Sequence, residues 1–122
     1  MKIFALLLTM FCHCFCQASS LSPSTTQEIA QLFSYLENSA CQLQRNGTWY
    51  DAKAASAHLQ KKYQYLLDKN LIVSSESFIQ QAATASSMSG NAYQVKCPNA
   101  AIVDSASWFR NELIRYRLSA HK

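Results

Sequence analysis

Apolar residues recur at helical intervals in four stretches of this chain and at the interval of a strand in two. Ile29, Leu32, Phe33 and Leu36 fall at i, i+3, i+4 and i+7, the spacing of an amphipathic helix. This helix should end near Asn38 to Ala40, and the Ser- and Thr-rich stretch 19–26 with Pro23 should be a flexible lead-in that turns into its cap. Ala52, Ala55, Leu59, Tyr63 and Leu66 form the stripe of a second helix, capped by Asp51 and running to about Asn70. Ser74 and Ser75 can cap a third, with Phe78, Ile79, Ala82 and Ala83 as its buried face. Asp104 or Ser105 can cap a fourth that carries Trp108, Phe109, Leu113 and Tyr116. Arg115, Arg117 and Lys122 then lie near its negative C-terminal end.

Between these helices the period changes to two. Cys41 to Asn46 reads as a short extended segment with Leu43 on the side of Cys41, stopped by Asn46-Gly47. Tyr93, Val95 and Cys97 alternate with Gln94 and Lys96 until Pro98 stops the strand. If the two segments pair antiparallel, Cys41 lies opposite Cys97 and the two side chains share a face. The expected fold is therefore α+β: about four helices, a two-stranded antiparallel ribbon and one disulfide.

The N-terminus changes the arithmetic. Lys2 followed by the apolar run Ile3 to Cys12 has the layout of a cleavable secretory signal peptide. The run is shorter than the roughly 20 apolar residues a membrane span needs. Cleavage after Ala18 is favoured over cleavage after Ser20, which leaves residues 19–122 as a single small exported domain. Loss of Lys2 takes the net charge from +4 to about +3, too little for a nucleic-acid footprint. Cys12, His13, Cys14 and Cys16 would be zinc ligands elsewhere, but they fall in the leader and no second ligand pair follows. Of five cysteines only Cys41 and Cys97 persist, an even pair that an oxidising compartment makes a disulfide.

The runs E-I-A-Q-L-F at 28–33, C-Q-L-Q-R-N-G-T-W-Y at 41–50, H-L-Q-K-K-Y at 58–63, F-I-Q-Q-A-A at 78–83, S-S-M-S-G at 86–90 and Y-Q-V-K-C at 93–97 carry a resemblance. Together they resemble a family of small exported bacterial proteins catalogued only as a domain of unknown function, to which the periplasmic YfeK-type proteins are similar. The resemblance implies a bacterial periplasmic protein, with secretion as the second choice of location. It supplies no activity, substrate or cofactor.

Candidate chemistry rests on the residues themselves. His58 and Lys62 are four apart and share a helix face at the edge of the apolar stripe. Arg45 and Asn46 end the first strand, and Ser86 and Ser87 follow the third helix. A cleft made of Arg45, Asn46, His58, Lys62, Ser86 and Ser87 is rich in donors and positive charge, suited to a carboxylate, phosphate or sulfated sugar. The plainer reading has His58 hydrogen-bonding a nearby loop, Lys62 solvated, and Arg45 paired with Glu37 or Asp51. Ser86 or Ser87 with His58 as base would make a hydrolase, but no G-x-S-x-G elbow is present. Asn46-Gly47-Thr48 fits a glycosylation pattern, and in a bacterial chain it reads as a turn. Trp49, Tyr50, Tyr93 and Trp108 read as core or core-edge aromatics.

No cofactor motif is present: there is no P-loop, dinucleotide fingerprint, H-E-x-x-H or C-x-x-C. The sequence thus favours an exported, non-enzymatic binding or interaction module, whose partner is an anionic ligand or another envelope protein. A small periplasmic hydrolase or transferase using His58 is the alternative, and an envelope inhibitor or immunity-type protein the third. On the binding reading, replacing Lys62 or His58 with Gln should abolish binding and leave the melting temperature nearly unchanged.

Overall fold

Capping chemistry sets where each helix begins. In the computed structural model, which describes residues 21–121, Ser22 accepts the Thr25 N–H at 3.2 Å and Pro23 opens helix α1 (Pro23–Asn38). The helix thus starts inside the stretch expected as a flexible lead-in, because both of its start signals lie there. Asp51 accepts the Ala54 N–H at 2.8 Å and starts α2 (Ala52–Asp68). That helix stops two residues before Asn70, which takes a left-handed φ of 56° while the Leu71 N–H returns to the Leu66 carbonyl at 3.0 Å. Ser74 and Ser77 form a reciprocal capping box at the head of α3 (Ser75–Ala82). Asp104 is the N-cap residue of α4 (Ser105–Ala120), although its side chain makes no capping bond. The leader expected at 1–18 lies outside the described residues.

The sheet is larger than the ribbon expected. Four antiparallel strands run in the order β2-β1-β3-β4, with β1 at Gln42–Arg45, β2 at Thr48–Asp51, β3 at Gln94–Lys96 and β4 at Val103–Asp104. Asn46-Gly47, read as a turn that stops the strand, is the two-residue loop of a hairpin that leads into a further strand, with φ of 50° and 81° at its two positions. Positive φ at both is what a type I′ turn demands, and Asn-Gly is the pair that adopts it most readily. Trp49 and Tyr50 therefore lie on a strand, paired with Gln44 and Leu43. The fourth strand is only Val103–Asp104, too short to leave a period.

One face of this sheet is buried. Leu43 pairs with Val95, each about 1% exposed, and both look onto the helices. Helix α2 crosses the β1 and β2 half, α4 crosses the β3 and β4 half, and α1 and α3 close the far side. Phe33, Tyr63 and Phe78 meet in the core with ring centroids 5.3 to 5.9 Å apart. The Cys41–Cys97 disulfide forms as expected, one step beyond the Gln42–Lys96 pair, with 4.1 Å between Cα atoms. No helix among the described residues is long and apolar enough to cross a membrane.

Candidate functional site

Alternation along β1 decides where Arg45 goes. Leu43 faces the core, so Arg45, two residues on, has its side chain on the same face at the point where the core ends. There it meets His58 on the second turn of α2. Arg45 Nη1 lies 2.9 Å from His58 Nε2 and is in hydrogen-bond contact with Nδ1. A guanidinium only donates, so this contact needs a ring nitrogen that accepts and favours the neutral imidazole. The Tyr50 ring sits 5.1 Å from the guanidinium carbon and backs it from the neighbouring strand.

Lys62, one turn beyond His58, points to the same region but has a carbonyl to bind. Its Nζ donates to the Ala85 carbonyl at 2.8 Å and approaches the Tyr93 hydroxyl at 3.4 Å, which is also 3.4 Å from His58 Nε2. Tyr93 is buried and joins the two α2 residues through one oxygen. The loop after α3 closes the other side. Asn46 donates to the Ser86 hydroxyl at 3.2 Å and accepts from Ser89 at 2.6 Å, so the hairpin tip is stitched to that loop.

Arg45, Asn46, His58, Ser86 and Ser87 thus line one recess of about 160 Å³ with Met88 and Tyr93. Lys62 stands behind it, reached through Tyr93. The expected set is brought together around this recess, with its members in unequal positions. Ser86 is buried, and its hydroxyl takes donors from Asn46 and from the backbone of Met88 and Ser89. No hydrogen bond joins it to His58. Neither carboxylate considered for Arg45 pairs with it: Asp51 caps α2, and Glu37 accepts from Ser56 at 2.6 Å.

A second, larger cleft of about 350 Å³ opens on the other side of Arg45 and His58, between α2 and the hairpin. Leu43, Tyr50, Ala54, Ala55 and Ala57 line it, and Lys61 stands with Arg45 and His58 at its polar side. Sequence reasoning read Leu43, Ala55 and Tyr50 as core or core-edge residues and assigned neither them nor Ala54, Ala57 and Lys61 to a site. Lys61 and Ala54 were nevertheless in reach, because they lie three and four residues from His58 on the same helix face.

The electrostatics of the region are one-sided. Among the described residues the ion pairs join Arg115 to Glu112, and Arg117 to Glu28 and Glu76; none involves Arg45, Lys61 or Lys62. Burial first, and then the charges of Arg45, Lys62 and Lys61, hold the His58 pKa below its ordinary 6.5. Burial and Arg45 likewise lower that of Lys62. Among the described residues no group of three His, Cys, Asp or Glu side chains is placed to hold a metal ion.

A family described as a family of unknown function (DUF5329) matches residues 23–117. No curated protein and no solved structure matches the chain, and the similarity to YfeK-type proteins is not among these matches.

Proposed function

Since this chain belongs to the DUF5329 family of unknown function, which brings no activity with it, we propose a function from the site alone: an exported, periplasmic binding module that takes an anion at Arg45 and His58. The single observation that carries this reading is the unpaired positive charge. Arg45, Lys61 and Lys62 converge on one region, where burial and then their charges hold the His58 pKa below its ordinary 6.5, and no carboxylate answers them within ion-pair distance among the described residues. Like charges held together raise the free energy of the empty site, and a bound anion relieves it. Export rests on the charged and apolar order of the first residues and on the disulfide, a bond that an oxidising compartment maintains.

Titration of the purified protein with sodium acetate at low ionic strength, followed by the His58 ring resonances, tests the site. The expected result is saturable binding that weakens as salt rises, since exposed charges are screened over about 8 Å at physiological ionic strength. Binding should also strengthen as pH falls toward the His58 pKa and be lost in Arg45→Gln. Saturation unchanged in Arg45→Gln would refute the site. A second reading, in which the anion is an acidic side chain of another envelope protein, is favoured by Met88, 96% exposed beside the recess.

A further inference from the structure

The cleft between α2 and the hairpin exists because the first two turns of α2 are short of side-chain volume where they cross β1 and β2. Ala54, Ala55 and Ala57 are too small to reach the sheet, so Leu43 forms an apolar floor and the Tyr50 ring one wall. At about 350 Å³ the space is at the lower end of small-molecule sites, which are mostly apolar with a few placed polar groups. This cleft has that composition. Its polar groups are Arg45, His58 and Lys61, gathered where it meets the smaller recess.

Resting on the anion reading above, we propose that the ligand is a small organic monoanion, a carboxylate carrying a short apolar tail. Its carboxylate is gripped by Arg45, and its tail lies over Leu43 and the three alanines. The planar fork of Arg45, backed by Tyr50, matches a carboxylate. A single negative charge suffices because Lys62 already gives a hydrogen bond to the Ala85 carbonyl and the His58 ring is itself met by the donating guanidinium of Arg45. That leaves Arg45 as the main charge at the head and Lys61 as an outer one. Inorganic phosphate, which has no tail, would leave the apolar lining of the cleft uncovered.

Calorimetric titration of the purified protein with acetate, butanoate, hexanoate and octanoate, in wild type and in Ala57→Leu, tests this. Ala57 is exposed on α2, so leucine there fills the cleft without entering the core. Thermal unfolding verifies that the variant is folded. Affinity should rise by about fourfold per methylene while the tail is being buried, from roughly 0.8 kcal/mol each. In Ala57→Leu the rise should flatten while acetate binds as before. Equal affinity for acetate and octanoate overturns the tail site and leaves the anion site standing. A chain-length dependence that persists in Ala57→Leu overturns the assignment to this cleft. Absence of binding by every member of the series, acetate included, overturns the anion reading itself.

Discussion

His58 lies against Arg45, which donates to the ring, and Tyr93, whose hydroxyl lies 3.4 Å from Nε2. Burial is the largest cause of its lowered pKa, followed by the charges of Arg45, Lys62 and Lys61. Because the folded value lies below the ordinary 6.5, the unfolded chain takes up its proton first as pH falls. The stability tied to this residue is fully present above about pH 6.5 and is lost as pH falls from there toward the folded pKa. Chemical denaturation at stepped pH should show that decline in wild type and its absence in His58→Gln. Lys62 calls for a different expectation from the one its sequence position raised, because its ammonium satisfies a backbone carbonyl. Replacement by Met should lower stability by about 1 to 2 kcal/mol, the order of a lost charge-assisted hydrogen bond, as read by urea unfolding. An unchanged midpoint would restore Lys62 as a solvated charge. The side of β1 that Arg45 occupies was legible from alternation with Leu43. The carbonyl that holds Lys62 was not, because it comes from a residue 23 positions away on a loop.

Among the elements, the helices were the legible part. Every residue of the stripe expected in α2 is buried, as are the four expected in and beside α3. In α4, Phe109 and Leu113 are buried while Trp108 and Tyr116 are only half-buried, since this helix lies over the sheet margin. The strands were harder. Helical stripes repeat over several turns, whereas β2 has four residues and β4 two, and short runs leave little periodicity to read. The Asn-Gly pair held the missing information: flanked by strand-forming residues it is a hairpin signal and not merely a stop. The disulfide was readable because the two cysteines continue the β1 and β3 alternation toward each other. It closes a 56-residue separation; the chain-entropy model gives about 4 kcal/mol for a loop of that size. Cys41→Ser with Cys97→Ser should lower stability by about 2 to 5 kcal/mol, measured by guanidinium unfolding without reductant. A change well under 1 kcal/mol would mean that the ladder alone holds the register.

Among the described residues the ion pairs gather on one side of the molecule. Three of the four glutamates, Glu28, Glu76 and Glu112, are bound to Arg117 and Arg115 where α1, α3 and α4 meet. Among the described residues Arg45, Lys61 and Lys62, beside α2 and the hairpin, have no such partners. Arg117 donates to Glu28 from α1 at 2.5 Å and to Glu76 from α3, and its hydrogen bonds hold both carboxyls below their ordinary 4.5. The stability they give is present above about pH 4.5 and lost as pH falls through the folded values. An acid-unfolding curve should therefore carry a second decline below that of His58, and Arg117→Gln should make it shallower; an identical slope in the variant would remove Arg117 as its origin. The cation-rich region and the acid-sensitive ion pairs are thus different faces of one core. On the first of these faces Asp51 ends β2 and caps α2 with no residue in between. In mechanical terms that junction is a welded corner: hairpin and helix turn together as one bracket, and neither wall of the alanine-lined cleft can swing alone. The smaller recess is walled instead by the loop that carries Ser86, Ser87 and Met88, fastened to the hairpin tip by the side-chain bonds of Asn46. Any separation of that loop from the hairpin tip must therefore break both bonds, so the width of the smaller recess is set at Asn46, away from the charges of Arg45 and Lys61.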